Sequence, residues 1–275
     1  MTGRTDLAAE AQELWRRSAG ENTALPGVRA RSWQRRGICL QKVEILNDEG
    51  RRALGKPEGN YVTLEAPELD RAAQDAAEIL AETIGTMLDL SPGEKVLVVG
   101  LGNREVTPDR IGPDTADRVF VTAHLPERAP EIFGDIRPVC ALAPGVLAST
   151  GMESADIVSG VISREKPDKV IVVDALAAAE RKRLCRSVQV TDAGIVPGSG
   201  VGNSRAAFSQ KTLGVPVCAV GVPTVLDAGD GGESLMVTPR DIDERVRRFA
   251  VLLSMGINRA LFPDWADDEI AQLRE

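Results

Sequence analysis

Histidine is almost absent from this chain of 275 residues, since His124 is the only one. A serine or cysteine nucleophile that depends on a histidine base would have to use that residue, and no Gly-x-Ser-x-Gly motif is present. The same scarcity disfavours a metal site, because neither His-Glu-x-x-His nor a carboxylate–histidine cluster can be built. We interpret His124 as a structural residue or one at the edge of a substrate site.

Closely spaced cysteines and long apolar runs are also missing. The four cysteines form no Cys-x-x-Cys pair, and we expect reduced, buried thiols in a cytosolic protein; they are Cys39, Cys140, Cys185 and Cys218. No uninterrupted apolar run reaches about 18 residues, and the N-terminus lacks a basic start followed by an apolar core. We therefore expect no membrane association, and a protein that stays in the compartment where it is made.

Basic residues are in the minority. The net charge is −8 and the pI is near 5.0, which disfavours a protein that grips the phosphates of nucleic acid. The basic cluster Arg181, Lys182 and Arg183 is interpreted as a solvated helix surface. With 43% apolar and 27% charged residues, the chain can bury a full core, and we expect residues 1–275 to form a single domain.

Phosphate-binding signatures are incomplete. Gly100-Leu101-Gly102-Asn103-Arg104-Glu105 starts like a dinucleotide fingerprint, but Glu105 occupies the place of the third glycine. No glycine-rich run is followed by Gly-Lys-Ser/Thr, which excludes a P-loop. We therefore expect no cofactor. The glycine-rich segment from Pro197 to Asn203 is equally consistent with a connection forced by geometry and with backbone that approaches a substrate.

Apolar runs alternate with helical periodicity along the chain. Val96–Val99 and Val170–Val173 have the composition of strands buried on both faces of a sheet. Further strands are predicted at Val119–Ala123, Val139–Leu142, Ser187–Val190 and Val217–Val222, and helices at 1–20, 70–88, 152–165, 175–184 and 239–256. The pattern predicts an α/β fold: a three-layer sandwich around a mostly parallel or mixed sheet.

An aspartate follows each of the two buried runs. Asp109 comes after Val96–Val99, and Asp174 comes directly after Val170–Val173. Open α/β folds place their sites at the carboxyl edge of the sheet, where two carboxylates would suit acid/base chemistry on water. Such a pair would titrate together, one carboxyl keeping its proton while the other accepts one. The alternative for each aspartate is a helix cap or turn residue.

Several segments, taken in order, resemble the spore germination protease family and span nearly the whole chain. They are Arg4–Ala8, Tyr61–Glu65, Val98–Asn103, Val106–Asp109 with Gly112-Pro113, Ala143–Val146, Thr150-Gly151, Val173–Ala178, Pro197–Asn203, Gly221–Val225 and Leu235–Pro239. The resemblance implies a fold similar to that of hydrogenase-maturation peptidases. It also implies an atypical aspartic endopeptidase that starts the degradation of small acid-soluble, DNA-coating spore proteins at germination. The protein would then act in the cytoplasm of the forespore and spore core.

The resemblance places the two functional aspartates of the family on Asp109 and Asp174. One would take a proton from water as the water attacks the scissile carbonyl, and the other would donate a proton. Backbone amides near Gly102 or in the glycine-rich loop would stabilise the oxyanion. The candidate substrate-binding or oxyanion residues are Gly102, Asn103, Gly198, Ser199, Gly200, Gly202 and Asn203.

The family is made as an inactive tetrameric zymogen, and this implies self-processing here. Because Arg4–Ala8 matches the family's cleavage region, we expect a cut between Asp6 and Leu7, which makes residues 1–6 a short propeptide. A homo-oligomer, by resemblance a tetramer, is expected. The chain departs from the family at 229–234, where a six-residue glycine-rich loop replaces a longer insertion.

Two other classes of function stay open at this point. One is a maturation-type peptidase of the same fold that uses a metal, which the single histidine disfavours. The other is a non-catalytic α/β binding protein in which the aspartates only cap helices.

Overall fold

A nine-stranded sheet forms the centre of the structure, a computed structural model that describes residues 5–19, 25–202, 205–228 and 235–274. The strands are β1 (Val28–Arg35), β2 (Ile38–Ile45), β3 (Gly59–Glu65), β4 (Val96–Gly100), β5 (Val139–Leu142), β6 (Lys169–Ala178), β7 (Ser187–Thr191), β8 (Val217–Asp227) and β9 (Met236–Val237). Their order is β1-β2-β3-β7-β8-β6-β4-β5, with β9 beside β8. Strands β8, β6, β4 and β5 run parallel, and the remaining pairings are antiparallel. The sheet is therefore mixed.

Helices cover both faces of this sheet. They are α1 (Ala8–Ala19), α2 (Asp48–Leu54), α3 (Ala73–Leu88), α4 (Ile111–Ala116), α5 (Leu125–Arg128), α6 (Pro130–Phe133), α7 (Leu147–Thr150), α8 (Ser154–Glu165), α9 (Gln210–Leu213), α10 (Ile242–Leu261) and α11 (Asp267–Leu273). Helices α3 and α10 pack on one face, and α8 and α9 pack on the other face of the parallel half. Helices α1 and α2 pack against β2 and β3. The predicted three-layer α/β sandwich is confirmed.

The alternation of side chains along β4 explains why helices are needed on both sides. Val96 and Val98 contribute to the core beneath α3 and α10, whereas Leu97 and Val99 contribute to the core beneath α8. All four are buried. A parallel strand that is apolar on both faces must be covered on both faces.

Two predicted elements are wrong. The segment 175–184 is not a helix, because β6 continues to Ala178, where it pairs with Leu226 of β8, and a 3₁₀ turn follows at Arg181–Arg183. The segment 119–123 is not a strand, since the N–H groups of Thr122 and Ala123 both donate to the carbonyl of Val139 and no regular ladder forms.

The predicted solvated cluster at Arg181–Arg183 is also wrong at its last residue. The Arg183 side chain is buried and forms ion pairs with Glu13 of α1 and Glu65 of β3. These pairs join α1 to the antiparallel half of the sheet, because a buried guanidinium needs carboxylate partners.

The four cysteines are free. Cys185 and Cys218 are buried as expected, but the expectation is wrong for Cys39 and Cys140, which are partly exposed. No helix in the described part of the chain combines the length and apolar character needed to cross a membrane.

Candidate active site

Asp109 is held at the carboxyl edge of the sheet by the loop that follows β4. The loop runs into a 3₁₀ turn at Thr107–Asp109 and then into α4. The backbone N–H of Leu101 donates to the carbonyl of Val173 in β6 at 2.8 Å, which fixes the start of the loop. The N–H of Asn103 donates to Oδ2 of Asp109 at 2.7 Å. Sequence and backbone geometry thus aim this carboxylate back toward the end of β4.

Glycines let the Asp109 segment approach the strands closely. A Cβ atom on Gly112, at the start of α4, would lie 2.1 Å from the carbonyl oxygen of Leu101 and 2.6 Å from that of Val173. Real Cβ atoms do not approach backbone oxygens so closely, and only glycine fits where two backbone segments touch. The glycine of the Gly112-Pro113 pair therefore seats α4 against β4 and β6.

Asp174 lies within β6 rather than after it. It pairs in register with Gly221 of β8, and its side chain is only 5% exposed. The N–H of Ala175 donates to its Oδ1 at 2.9 Å. Because β4 ends at Gly100 while β6 continues to Ala178, Asp174 comes just past the end of the neighbouring strand, where the sheet edge opens.

Asp109 and Asp174 line the same cavity, whose volume is about 460 Å³. The predicted site residues Gly102, Asn103, Gly198 and Gly200 line it as well, and so does Asp6. The structure therefore brings together the end of β4, the middle of β6, the glycine-rich loop and the N-terminal segment.

The electrostatics distinguish the two aspartates. Burial raises the pKa of Asp109, and the N–H donated by Asn103 opposes that rise. Burial raises the pKa of Asp174 well above its ordinary value, the negative charge of Asp109 raises it further, and the N–H of Ala175 lowers it. Of the two carboxyl groups, Asp174 therefore has the stronger tendency to keep its proton.

The other predicted site residues that the structure describes are not in the lining of this cavity. Ser199 donates its hydroxyl to Oδ1 of Asp6 at 2.7 Å. Leu7 is fully buried in an apolar cluster with Leu176 and Ala178. Gly202 ends the 3₁₀ turn of the glycine-rich loop, and its N–H donates to the carbonyl of Ser199. Asn203 lies outside the described residues.

Two residues that the sequence did not single out belong to this region. Thr224 lines the cavity, and its buried hydroxyl has no hydrogen-bond partner within the described part of the chain. In the sequence, the only indication of a role for Thr224 was its place in the segment Gly221–Val225, which resembles the family. Gln189 of β7 is 5% exposed and donates to the carbonyl of Asp6 at 3.1 Å. No spacing or motif marks Gln189, because its partner lies far away in the sequence.

His124 is not among the described residues that line the cavity, and it stands just before α5. Within the described ranges, no group of three or more histidine, cysteine, aspartate or glutamate side chains is placed to hold a metal ion.

A comparison with solved structures gave a NiFe hydrogenase maturation protease from Thermococcus kodakarensis, with a TM-score of 0.36 and 18% identity over 65% of this chain and 98% of that one. A TM-score of this size carries no weight for fold or function, and the layer order above comes from the strand pairings of this chain.

Comparisons with protein sequences gave relatives of much higher identity. The family model described as germination protease matches residues 6–231. A germination protease of Caldanaerobacter subterraneus is 40% identical over 320 aligned positions, covering 98% of this chain and 97% of that protein. Germination proteases of Clostridium tetani and Bacillus cytotoxicus are 38% and 42% identical and cover 96% and 94% of this chain, and 96% and 72% of their own lengths. An alignment of 320 positions exceeds the 275 residues of this chain, so the Caldanaerobacter protein has residues without a counterpart here. The chain therefore belongs to the germination protease family, and it is a peptidase.

Proposed function

We propose that this peptidase is an aspartic endopeptidase that cleaves small acid-soluble spore proteins at germination. The observation that carries the proposal is the shared cavity of Asp109 and Asp174, one half-buried and the other almost fully buried. Family membership supports the spore context, and the cytoplasm of the spore core is the proposed location. Residues 1–275 are proposed to act as one peptidase domain, in a homo-oligomer that light scattering would measure.

In the proposed mechanism, Asp109 is the general base. Its carboxylate accepts the N–H of Asn103, which favours the ionised form. It takes a proton from water as the water oxygen forms a bond to the scissile carbonyl carbon. The developing oxyanion is stabilised by a proton or hydrogen bond from Asp174, which enters the reaction protonated. When the C–N bond breaks, the leaving nitrogen takes up a proton from the aspartate pair.

Backbone amides of the glycine-rich loop remain the proposed additional oxyanion donors. The amides of Asn103, Ser199 and Gly202 already donate to Asp109, Val196 and Ser199 respectively. Those three would have to give up these bonds before they bind substrate. This favours Gly198 and Gly200, which line the cavity, as the loop residues nearest the chemistry.

The experiment is a cleavage assay on a purified small acid-soluble spore protein, with fragments mapped by mass. We expect Asp109→Asn and Asp174→Asn each to lower the rate by about 10²–10⁴-fold or more, the range for loss of a general acid or base. Asp135→Asn is the matched control, because Asp135 is exposed on the surface. Full activity in either site variant would overturn the aspartic mechanism.

The same assay with a chelator distinguishes the proposed aspartic endopeptidase from a metal-dependent maturation-type peptidase and from a non-catalytic binding protein. Cutting that resists chelation supports the proposal, whereas cutting that nickel restores after chelation would indicate a maturation-type metallopeptidase. No cutting by folded wild type, together with retained partner binding in Asp109→Asn, would indicate a non-catalytic binding protein.

A further inference from the structure

A groove outside the candidate active site concentrates positive charge. It has a volume of about 820 Å³ and lies between the 3₁₀ turn after β6, the paired ends of β8 and β9, and the start of α10. Among the described residues that line this basic groove, one is acidic, Asp241, and five are cationic: Arg181, Lys182, Arg186, Arg240 and Arg245. The chain as a whole carries a net charge of −8. A groove lined by charges of one sign concentrates ligands of the opposite sign.

Three arginines of the basic groove are available to a partner. Arg181, Arg186 and Arg240 are exposed, and none of their side chains forms an ion pair or a hydrogen bond within the described ranges. Lys182 and Arg245, by contrast, already pair with carboxylates. A guanidinium presents a planar fork of donors that matches the two oxygens of a carboxylate. The three arginines are therefore suited to bind acidic side chains of another chain.

The floor of the basic groove is apolar. Leu184 is buried, Leu226 and Pro239 are half-buried, and Val237 is 40% exposed. An apolar centre with a charged rim is the arrangement found in protein–protein interfaces. The phosphates of a nucleic acid would use the arginines of the rim but not this floor. The lining therefore favours an acidic peptide segment that also carries apolar side chains.

The basic groove and the candidate active-site cavity share a wall. In β9, Met236 lines the cavity and Val237 lines the groove. In β8, Val225 lines the cavity and Leu226 lines the groove. Successive residues of a strand point to opposite faces, so the β8–β9 pair separates the two spaces by the thickness of one ribbon. A substrate chain that leaves the cavity past this ribbon reaches the groove.

We propose that the basic groove is an exosite, which binds an acidic segment of a protein substrate outside the residues that are cleaved. The assignment rests on the proposed endopeptidase function. Contacts far from the scissile bond are the same in the bound substrate and in the transition state, so the exosite should lower KM and leave kcat unaltered. Because its arginines are exposed to solvent, its contribution should fall as the ionic strength rises.

The first test measures binding without catalysis. The probe is a fluorescent nonapeptide, Glu-Glu-Leu repeated three times, and the control peptide has Gln in place of Glu. At low ionic strength, anisotropy should show that the wild type binds the Glu peptide at least about tenfold tighter than the Gln peptide. The double variant Arg186→Gln/Arg240→Gln should lose most of this preference. Arg128→Gln, at an exposed arginine at the end of α5, is the matched control and should keep it.

The outcomes of the binding test separate the possible occupants. Equal binding of the two peptides by the wild type, or an undiminished preference in the folded double variant, overturns the exosite. A single-stranded DNA of the same charge that binds tighter than the Glu peptide, and only while Arg186 and Arg240 are present, would indicate a nucleic-acid site instead. A changed oligomeric mass of the double variant in light scattering would indicate a contact between copies of this chain instead. Urea denaturation checks that the variants fold.

The second test is the kinetics of cleavage of a purified small acid-soluble spore protein. The double variant should raise KM about tenfold with kcat unchanged, and Arg128→Gln should change neither. An unchanged KM in the double variant overturns the exosite while leaving the endopeptidase function intact. If the wild type cuts nothing, the endopeptidase function fails, and preferential binding of the Glu peptide still supports the groove as a site for acidic peptides.

Discussion

Gly102 lies directly against the backbone of Asp109: a Cβ atom built on Gly102 would stand 1.9 Å from the Asp109 carbonyl oxygen. The φ angle of Gly102 is +122°, a region that other residues rarely adopt. The close contact and the positive φ angle of Gly102 both arise from the loop that turns Asp109 back over the end of β4. The position of the proposed general base thus depends on the absence of a side chain seven residues earlier.

Gly102→Ala should displace Asp109 and lower kcat/KM by at least about 100-fold, since errors of about 1 Å at a reacting group cost this much. Gly85→Ala is the control, because Gly85 lies within α3 and an added Cβ would meet no atom within 4 Å. That change should leave activity unaltered and stabilise the fold by about 0.5–1 kcal/mol. Peptide cleavage and urea denaturation check both results. Normal activity in Gly102→Ala would contradict the proposed placement.

The raised pKa of Asp174 predicts a pH-dependent gain in stability for Asp174→Asn. As pH rises above the ordinary aspartate pKa of 3.8, the unfolded chain releases this proton first, while the folded chain keeps it because the carboxyl is buried near Asp109. The folded state then binds more protons, and the free energy of unfolding of the wild type falls with rising pH until the folded pKa is passed. Asparagine has no proton to lose.

The stability difference between Asp174→Asn and wild type should therefore grow in favour of the variant from about pH 4 upward. Urea denaturation across a pH series measures it. For Asp109→Asn, the stability difference from wild type should change with pH in the same direction, because burial also raises the pKa of Asp109. For Asp135→Asn, the stability difference should not change with pH. A difference for Asp174→Asn that does not change with pH would argue against a buried, protonated carboxyl.

The unpartnered hydroxyl of Thr224 predicts a residue that contributes to activity but not to stability. A buried hydroxyl without a partner costs about 1–3 kcal/mol, so Thr224→Val should leave the free energy of unfolding unchanged or raise it. Because Thr224 lines the cavity, its hydroxyl is available to water or substrate, and we expect an approximately tenfold lower kcat/KM. Thr63→Val is the matched control, since Thr63 in β3 also has an unpartnered buried hydroxyl but does not line this cavity. Equal activity of Thr224→Val and Thr63→Val would show that the Thr224 hydroxyl does not contribute to activity.

The hypothesis of self-processing predicts a defined change in mass. Wild type held at mildly acidic pH should lose residues 1–6 through a cut between Asp6 and Leu7, and Asp109→Asn should remain intact. Mass spectrometry of the whole protein measures both. A wild type that cleaves added substrate but keeps its first six residues would count against self-processing.

The sequence predicted the parts of the fold that depend on local pattern. Val96–Val99 and Val170–Val173 are apolar at every position, and this identified β4 and the first part of β6. The same local pattern failed at 175–184, because Ala175–Ala178 owe their strand conformation to β8, which continues alongside them.

The positions of the candidate site residues could be predicted in part for a similar reason. Asp109 and Asp174 follow apolar runs, so their place at the sheet edge could be inferred, although only the long pairing with β8 shows that Asp174 lies within a strand. The contacts of Asp6 with Ala177, Ser199 and Gln189 join residues that are more than 170 positions apart. No periodicity or motif carries information over such a separation.

A cut between Asp6 and Leu7 would place a positive charge on the backbone nitrogen of Leu7, next to the fully buried Leu7 side chain. The Leu7 N–H donates to the Thr5 hydroxyl at 3.0 Å, and hydrolysis would convert this amide nitrogen to an ammonium while Thr5 departs with the released segment. A cation at this point stands at the N-terminus of α1, where the helix dipole opposes it. It must turn toward water or recruit the buried carboxylate of Glu10, which now accepts the N–H groups of Ala179 and Glu180. In either case the first turn of α1 would rearrange and the new ends would separate, which would oppose rejoining of the cut bond.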